Sequence, residues 1–529
     1  MTETVASGPE YALTMPELFA RARARFERRP AIKEGELGLT YGQLDDLRRQ
    51  AAKALLTLNV ERGERVAVWA PNMYQYIAAA AAIESIGAVL VPINTRYKGA
   101  EAADLIGRGG IRILFTVNGF LGTDYPALLN GQNLPKLQKV VLLSGAPEPA
   151  RPEQFGWQAF LALGAAVADA ALQARMAAVT PDDPQDVLFT SGTTGRSKGV
   201  ITTHRQNLLT YRSFSELLKI DEQDRYLIIN PFFHAFGYKA GWLSAIMRGA
   251  CIVPMAVFDV DKAMALIQSE RITLLPGPPT IFQSLLASPN RAQYDLSSLK
   301  KASTGAAVIP VELIRRMYEE LRFELVMSGF GMTETCGTAT LTRPNDDPSL
   351  VANTVGPPIP GVEVKIVDAA GKALPAGEAG EVLIRGFNVM KGYLDDPQAT
   401  AQAIDADGWL HSGDIGVLRA NGYLSITDRL KDMLIVGGFN VYPAEIENQL
   451  VKLPGVAQAA VIGVPDERMG EVAKAFVVRR ADATLDEATV IAWCREHLAN
   501  FKVPRTVEFL DALPLNASNK VLKTELRKL

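Results

Sequence analysis

The segment with the most chemical content is residues 190–200, which read Thr-Ser-Gly-Thr-Thr-Gly-Arg-Ser-Lys-Gly-Val and contain three glycines, five hydroxyl residues, one Arg and one Lys. Glycine lets backbone N–H groups turn toward a bound anion, and Ser and Thr hydroxyls add further donors. Lys198 adds a point charge, so the segment predicts a loop that binds a polyphosphate. It is not a Walker A loop, because Gly199 stands where that pattern requires Ser or Thr after the Lys. The alternative is a Gly- and Ser-rich surface loop without a ligand.

A second candidate segment, residues 329–335, reads Gly-Phe-Gly-Met-Thr-Glu-Thr and places a hydroxyl beside a carboxylate after a glycine-flexed turn. Thr333 suits a phosphate contact. Glu334 suits Mg²⁺, which prefers oxygen ligands and is often shared between one or two carboxylates and substrate phosphates. Phe330 offers a face on which a base can stack. The alternative is a helix N-terminus with Thr333 as the cap and Glu334 in the first turn.

Two further turns combine glycine with small or acidic residues. Residues 304–307 read Thr-Gly-Ala-Ala, and such small side chains let a flat ligand approach the backbone. In residues 408–416, Asp414 follows a glycine, and a carboxylate there can accept hydrogen bonds from both hydroxyls of a ribose. The alternatives are a tight strand-to-helix turn for the first and a hairpin with an Asx turn for the second.

The order of the predicted elements indicates an α/β fold. From residue 40 to about 309, helical patterns alternate with short β-rich runs such as 65–69, 251–254 and 272–275, which predicts βα units on mostly parallel sheets. The apolar run 76–93 predicts a buried helix followed by a strand, because Glu84, Ser85 and Gly87 interrupt it and exclude a membrane span.

The C-terminal third of the chain has a different pattern. Alternating apolar residues in 362–367 and 381–385 predict antiparallel β structure. A chain of 529 residues is too long for one core. We therefore predict a large N-terminal domain, residues 1–430, with doubly wound, mostly parallel sheets and a β-rich subdomain. A small α+β C-terminal domain, residues 431–529, follows it.

Composition excludes several classes of function. The net charge of −3 gives no reason to expect nucleic acid as a partner, and 48% hydrophobic with 21% charged residues is ordinary for a globular protein. Cys251, Cys336 and Cys494 lie far apart without a CxxC, which favours a reducing, cytoplasmic setting over a disulfide scaffold or a zinc site. The N-terminus shows no signal peptide pattern.

Six ordered segments together resemble the adenylate-forming acyl-CoA synthetases, the superfamily that includes luciferase and peptide-synthetase adenylation domains. They are the four segments above, residues 428–438 (Asp-Arg-Leu-Lys-Asp-Met-Leu-Ile-Val-Gly-Gly) and residues 514–521, which end Ser-Asn-Lys-Val. The resemblance covers nearly the whole chain and is strongest to fatty-acid-type CoA ligases. It implies that a carboxylate attacks the α-phosphate of ATP to give an acyl-adenylate, and that the thiol of CoA then displaces AMP.

The resemblance also implies roles for individual residues. Thr333 contacts phosphate, Glu334 ligates Mg²⁺, and Lys520 bridges the carboxylate and the α-phosphate, where negative charge builds. With His234 these form the catalytic set. The residues implied to bind the nucleotide are Thr190, Ser191, Gly192, Thr193, Thr194, Gly195, Lys198, Gly305, Ala306, Ala307, Gly329, Phe330, Gly331, Thr333, Asp414, Arg429 and Lys520.

The same resemblance makes Lys431 the hinge about which the C-terminal domain rotates between half-reactions, bringing Gly437 and Gly438 to the CoA tunnel. Two positions depart from the family pattern. Phe330 stands where Tyr is common, and Asn519 stands where Gly usually precedes the catalytic Lys.

Residues 230–241 and 275–280 resemble the bacterial CoA ligases of steroid degradation, which activate the propanoate side chain left on rings C and D. We assign His234, Tyr238, Lys239 and Pro278 to the substrate site. A pure alkyl chain gives no use for a buried Lys, so we expect a cyclic keto-acid recognised partly by Lys239 or Tyr238. The alternative is that Lys239 points to solvent or pairs with an acid.

Other functions stay open at this stage. A medium- or long-chain fatty-acid–CoA ligase keeps the reaction and changes the substrate, and a nucleotide-binding protein without turnover is an alternative of another class. An amino-acid adenylation module would need an acidic residue between 230 and 242, and none is present. We expect a small carboxylic acid as the partner, with no transmembrane segment, and leave a homodimer open.

Overall fold

The computed structural model describes residues 12–148, 151, 153–190, 197–305, 309–429, 432, 434–436, 439–441, 443–466, 469–481, 483–498, 500–515 and 521–529. Its strands, in chain order, are β1 (Pro30–Glu34), β2 (Leu37–Thr40), β3 (Arg65–Trp69), β4 (Val89–Pro92), β5 (Ile113–Phe120), β6 (Thr123–Asp124), β7 (Lys139–Ser144), β8 (Gln154–Gly156), β9 (Pro184–Thr190), β10 (Lys198–Thr203), β11 (Arg225–Ile228), β12 (Cys251–Pro254), β13 (Lys301–Gly305), β14 (Leu325–Phe330), β15 (Thr340–Leu341), β16 (Val362–Val367), β17 (Ala379–Gly386), β18 (Gly392–Tyr393), β19 (Leu410–Leu418), β20 (Leu424–Arg429), β21 (Leu434–Val436), β22 (Phe439–Val441), β23 (Val456–Asp466), β24 (Gly470–Arg479) and β25 (Thr506–Phe509).

The helices are α1 (Met15–Phe26), α2 (Tyr41–Thr57), α3 (Tyr74–Ser85), α4 (Gly99–Gly109), α5 (Tyr125–Leu128), α6 (Trp157–Leu163), α7 (Asp169–Ala177), α8 (His204–Leu217), α9 (Ala235–Gly237), α10 (Ser244–Arg248), α11 (Val260–Glu270), α12 (Pro279–Ala287), α13 (Val311–Glu319), α14 (Pro348–Asn353), α15 (Pro397–Ala403), α16 (Pro443–Leu450), α17 (Glu487–His497) and α18 (Lys523–Leu526). A π-helical turn, Tyr238–Leu243, lies between α9 and α10. Such turns are rare and occur frequently at functional sites.

A nine-stranded sheet forms the centre of the N-terminal part, in the order β18-β10-β9-β4-β3-β5-β7-β8 with β6 paired to β5. Strands β3, β4, β5, β7, β8 and β9 pair in parallel, whereas β10 and β18 are added antiparallel at one edge. The predicted run 65–69 is β3 exactly, and the apolar run 76–93 is α3 followed by β4, as predicted. The α/β fold class is confirmed.

Two smaller sheets, β11-β12-β1-β2 and β13-β14-β15, lie on either side of residues 272–275. The strand predicted over 272–275 forms only in part: Leu274 makes single parallel bridges to Tyr226 and Lys301, and the Leu275 N–H donates to Lys301 O at 2.9 Å. Residues 276, 278 and 279 are prolines, which have no N–H to donate, so no regular strand can continue through them. The segment ends close to β13, since the Gly277 N–H donates to Ser303 O at 2.9 Å.

The antiparallel prediction for 362–385 is confirmed by the sheet β16-β17-β19-β20. Beyond it, β22-β21-β24-β23, with β25 parallel to β24, packs with α16 and α17 as an α+β unit. The buried apolar residues of this last unit lie between Leu434 and Leu526 and form clusters that share no member with those before residue 430. The boundary at 430/431 stays a prediction, because both residues lie outside the described ranges.

No single helix in the described ranges is both long and apolar enough to cross a bilayer. The segments Trp157–Ala166 and Asp169–Ala177 reach that length and hydropathy only as a pair, across a bend of 98°.

Candidate active site

The predicted phosphate loop is carried by the hairpin of β9 and β10. Thr190 and Lys198 are paired across the two strands, and the Thr190 hydroxyl donates to Lys198 O at 3.4 Å. A Cβ on Gly199 would lie 2.9 Å from Val187 Cγ1, so the hairpin needs glycine there. The loop residues Ser191, Gly192, Thr193, Thr194 and Gly195 lie outside the described residues.

Arg108, near the end of α4, binds Ser197 where the chain leaves this loop, and no sequence pattern indicates this contact. Its guanidinium donates to the Ser197 carbonyl at 2.8 Å and to the Ser197 hydroxyl at 3.0 Å. The same group lies over the Phe189 ring, 5.0 Å from the centroid, and pairs with Asp104. One cation therefore touches residues on both sides of the loop, which fixes where the two strands enter and leave it.

Glu334 and Lys198 both contact Tyr393, a second residue that no sequence pattern indicates. The Tyr393 hydroxyl donates to Glu334 Oε1 at 2.9 Å, and Lys198 Nζ lies 4.8 Å from the centroid of the Tyr393 ring. Burial, reinforced by the Glu334 charge, raises the pKa of Tyr393 above its usual value, so the phenol stays a donor. The strand pairing of β18 with β10 brings these residues together.

The carboxylate of Glu334 fits the Mg²⁺ that the sequence predicts. It is largely buried, and one of its oxygens is held in place by a phenol. In the described ranges, no group of three or more His, Cys, Asp or Glu side chains is placed to hold a metal. Glu334 would therefore hold the ion together with phosphate oxygens of the nucleotide, as is usual for Mg²⁺.

Thr333 begins a short 3₁₀ turn, Thr333–Thr335, and Met332 is the residue before it. The Met332 N–H donates to the Thr335 hydroxyl at 3.0 Å, so the cap of this turn comes from Thr335. The alternative in which Thr333 caps a helix is therefore wrong. The assignment of Thr333 to a phosphate stays a prediction.

Glycines bring the ends of β13 and β14 close together beside this turn. Gly305 and Gly329 are in register, and a Cβ on Gly305 would lie 2.8 Å from Gly329 O. A Cβ on Gly331 would lie 2.4 Å from Gly337 O. Phe330 is half-buried against the main core. Ala306 and Ala307 lie outside the described residues, so the predicted nucleotide contact of this turn stays a prediction.

Asp414 lies on β19, directly opposite Arg429 of β20 in the register of the antiparallel pair. Its side chain is mostly buried, with 8% of the residue exposed. The strand pairing therefore places the two predicted ribose residues side by side. Lys431, Gly437, Gly438 and Lys520 lie outside the described residues, as does the side chain of Arg429.

The predicted substrate residues His234 and Pro278 come from two segments that Asn230 joins. His234 precedes α9, and its Nδ1 accepts from the Phe236 N–H at 3.2 Å. Asn230 Nδ2 donates to Pro276 O at 3.0 Å, which draws this segment to the one that carries Pro278. The Gly277 N–H donates to Ser303 O at 2.9 Å, so the segment that carries Pro278 lies against β13.

Lys239 and Tyr238 do not line a substrate site in this structure, and this part of the sequence prediction needs correction. Lys239 is fully buried, with its Nζ 3.1 Å from the Asp186 carboxylate and 2.9 Å from the Thr202 hydroxyl. Tyr238 is also fully buried, and its hydroxyl donates to Glu84. The alternative, in which Lys239 pairs with an acid, is the one that the structure shows. Such a pairing is expected for a buried Lys, because burying an unpaired cation costs free energy.

This buried network joins the π-helical turn to the phosphate hairpin. Asp186 is on β9 and Thr202 on β10, and Asn207 Nδ2 donates to Asp186 Oδ2 at 2.7 Å. Burial, together with the nearby Asp186, raises the pKa of Glu84 well above its usual value, whereas its hydrogen bond from Tyr238 works against this shift. The buried network therefore places the Lys239 ammonium group directly against the Asp186 carboxylate.

The predicted phosphate hairpin, the predicted Mg²⁺ carboxylate and the predicted ribose Asp lie on a fold that ends in a separate C-terminal α+β unit, and this arrangement is that of an adenylate-forming enzyme. The chain matches the family "AMP-binding enzyme" over residues 19–394 and the "AMP-binding enzyme C-terminal domain" over residues 445–520. It belongs to this family and is an AMP-forming acid–thiol ligase, which uses ATP, Mg²⁺ and CoA.

The relatives are similar over their full length. The chain is 52% identical to a 7a-methyl-1,5-dioxo-octahydro-1H-inden-4-yl propanoyl:CoA ligase of Rhodococcus jostii, over 98% of this chain and 99% of that protein. It is 51% identical to the ligase of the same name from Mycobacterium tuberculosis, with the same two coverages of 98% and 99%. The crystal structure of ATP-bound MatB from Rhodopseudomonas palustris superimposes with a TM-score of 0.82 at 29% identity, covering 97% of this chain and 98% of that one.

Proposed function

We propose that this enzyme activates a bicyclic keto-propanoate left from rings C and D of a steroid. The observation that carries the proposal is the identity of 52% and 51%, over nearly the whole chain, to two ligases named for a methylated dioxo-indenyl propanoate. That acyl group is a fused six- and five-membered ring system with two ketones and a propanoate side chain. It fits the cyclic keto-acid expected from the sequence.

The reaction would proceed in two half-reactions. The substrate carboxylate attacks the α-phosphorus of ATP. The bond between the α-phosphorus and the oxygen that bridges it to the β-phosphorus then breaks, and pyrophosphate leaves. The CoA thiolate then attacks the carbonyl of the acyl-adenylate and releases AMP. Mg²⁺, when bound, spreads the charge that develops on the phosphates.

Individual residues of this chain are proposed to act in the first half-reaction. Lys198 and Thr333 would hold phosphate oxygens, and Glu334 would hold the metal with its second oxygen fixed by Tyr393. Asp414 and Arg429 would hold the ribose. Lys520 would stabilise the negative charge shared by the attacking carboxylate and the α-phosphate, as a preorganised cation should.

In the second half-reaction, the C-terminal domain would rotate about Lys431. This rotation would move Lys520 out of the active site and bring the strand near Gly437 and Gly438 into it. This proposal divides the chain into residues 1–430 and 431–529. It is supported by the separate buried clusters on the two sides of that boundary.

Recognition of the ketone cannot be assigned to Lys239, because its ammonium group is fully buried and donates to Asp186 and Thr202. His234 and Pro278 stay in the proposed substrate site, since the Asn230 side chain joins their segments and Gly277 lies against Ser303 of β13. A cytoplasmic location is part of the proposal and is supported by the scattered cysteines. A homodimer is the oligomeric state to test by light scattering.

The test is mass spectrometry of the purified protein with Mg-ATP, CoA and a pool of carboxylic acids. The pool should contain short, medium and long fatty acids, aryl acids, amino acids and bicyclic keto-propanoates. We expect a new thioester from the keto-propanoates, with a kcat/KM at least tenfold above that of any fatty acid. A preferred straight-chain product would keep the ligase class and overturn the substrate. ATP binding without any adenylate or thioester would favour a nucleotide-binding protein without turnover.

A further inference from the structure

The turn that carries Asp414 is a bulge in the pairing of β17 with β19. Glu381 lies opposite Ile415, and Leu383 lies opposite His411. Residues 412–414 of β19 therefore face the single residue Val382 of β17. A bulge of this kind removes backbone N–H groups from the ladder, and each must find another acceptor.

The side chain of Glu381 satisfies one of these groups and holds a second side chain. Its Oε1 accepts from the Gly413 N–H at 3.2 Å, and its Oε2 lies 3.0 Å from His411 Nδ1. The Glu381 carboxylate thus binds both His411 and Gly413, the residue immediately before Asp414. Glu381 has 19% of its side chain exposed, so its hydrogen bonds are partly shielded from water.

Ser412 completes the bulge. Its hydroxyl donates to Val382 O at 2.6 Å and accepts from the Asp414 N–H at 3.0 Å. Gly413 has φ of +68°, a conformation that favours glycine. Every residue of the turn before Asp414 is therefore fixed by a contact to β17 or by its own backbone conformation, and two of these contacts go to the Glu381 carboxylate.

We infer that Glu381 is a positioning residue for nucleotide recognition: it sets the bulge that aims the Asp414 carboxylate at the ribose hydroxyls. It acts through Gly413 and His411. The inference rests on the proposed role of Asp414 as the ribose ligand. Hydrogen bonds to a carboxylate are strong but directional, so a small rotation of the turn loses them.

The experiment compares the binding of ATP and 2′-deoxy-ATP by isothermal titration calorimetry with Mg²⁺ present. The wild type should prefer ATP by about tenfold, the effect of one hydrogen bond to a charged acceptor. Asp414→Ala should reduce this preference to near unity and serves as the reference for a lost ribose contact. Glu381→Ala should lower the preference at least threefold while leaving the affinity for the carboxylic acid unchanged.

Glu363 offers a matched control on the same sheet. It is an exposed carboxylate that pairs with Arg385 across β16 and β17, with the two groups 3.0 Å apart. Glu363→Ala removes the same side chain without touching the bulge, so it should keep the wild-type preference. A purely structural effect of losing a carboxylate from this sheet would change both variants alike.

Glu381→Gln covers the case in which Glu381→Ala does not fold. The amide oxygen can still accept from Gly413, whereas the charge facing His411 is lost, so the preference should fall between the wild type and Asp414→Ala. An unchanged preference in Glu381→Gln and Glu381→Ala, with a reduced one in Asp414→Ala, would overturn the inference alone. An unchanged preference in Asp414→Ala would instead remove the ribose role and the inference with it.

Discussion

Lys239 and Asp186 form an ion pair 3.1 Å long in which both side chains are completely buried. Lys239 is on the π-helical turn beside His234, and Asp186 is on the strand that leads into the phosphate loop. The pair therefore connects the proposed substrate segment to the phosphate hairpin. Its partners Thr202 and Asn207 saturate the carboxylate, which is the condition under which a buried pair is tolerated.

We predict that Lys239→Met destabilises the protein by about 3–5 kcal/mol, because Asp186 loses its buried counter-charge. The ratio of kcat/KM for a cyclic keto-acid over a fatty acid should not change, since Lys239 does not face a substrate. Urea unfolding and steady-state kinetics measure the two effects separately.

Two further variants control for this loss. Lys474→Met removes a Lys from a partly exposed pair with Glu508, 2.8 Å long, and should cost at most about 1 kcal/mol. Lys239→Met combined with Asp186→Asn should regain part of the lost stability, because no unpaired charge then stays buried. A changed substrate ratio in Lys239→Met would restore the original assignment of Lys239 to the substrate.

The sequence predicted the order of the elements and the motifs, because strands and glycine turns follow from local patterns. It gave the pairing of Lys239 with an acid only as an alternative and did not identify the acid. The pattern shows that residues 232–242 are apolar, but the partner Asp186 is 53 positions away and looks like any acid at a strand start. The pairing of Asp186 with Lys239 depends on which elements become neighbours in the fold, and the local periodicity of the sequence does not contain that information.

Tyr393 and Glu381 were missed for the same reason. Tyr393 is in a two-residue strand, too short to give a periodic signal, and it reaches Lys198 only because β18 joins the edge of the central sheet. Glu381 was included in an alternating strand, where it reads as a solvent-facing residue. The available signal was its position opposite the turn of Asp414 in the pairing of β17 with β19, which requires the strand register and the bulge.

Tyr393→Phe should weaken the binding of Mg²⁺ and so raise the Mg²⁺ concentration that the enzyme requires. The variant keeps the ring beneath Lys198 and removes only the hydroxyl that holds Glu334, so the metal ligand loses a fixed orientation. We expect the Mg²⁺ concentration for half-maximal adenylate formation to rise by about tenfold, a usual effect of losing an outer partner of a metal ligand. Titration of ATP binding with Mg²⁺ should show the same shift in the absence of the acid.

Tyr423 provides the control for this variant. Its hydroxyl donates to the Asp346 carboxylate at 2.7 Å, a similar pair that lies on other elements. Tyr423→Phe should leave the Mg²⁺ requirement unchanged. An equal shift in both variants, or a change confined to the KM of the carboxylic acid, would contradict the role given to Tyr393.

Lys520→Ala should reduce adenylate formation by at least 100-fold and affect thioester formation from supplied acyl-adenylate far less, because the cation acts where charge builds in the first step. Lys431→Pro should have the opposite selectivity, since proline restricts the backbone rotation at the proposed hinge. Single-turnover assays of each half-reaction measure both. Lys528→Ala, at an exposed Lys paired with Glu525, should change neither. Equal losses of both half-reactions in both variants would contradict the roles of Lys520 in the first half-reaction and of Lys431 as the hinge.

We predict that buried His204 lowers the folding stability of the protein in mild acid. Its ring is fully buried at the start of α8, where Nδ1 accepts from the Met15 N–H at 3.4 Å. Burial lowers the pKa of His204 to about 3, far below the value near 6.5 that it has in an unfolded chain. Between pH 6.5 and 3, His204 therefore binds a proton in the unfolded state but not in the folded state. Folding stability consequently falls as the pH drops through this range.

The expected slope is about 1.4 kcal/mol per pH unit for one such proton, fully developed below pH 6. His204→Asn keeps an acceptor for Met15 and removes the titrating group, so its free energy of unfolding should fall less steeply between pH 6.5 and 5 than that of the wild type. Carboxylates contribute to both proteins alike and cancel in the difference. His497→Asn, at an exposed His of α17, should retain the wild-type slope. Parallel curves for the wild type and His204→Asn would show that acid destabilisation arises elsewhere, because a neutral Asn gives the unfolded state no proton to bind.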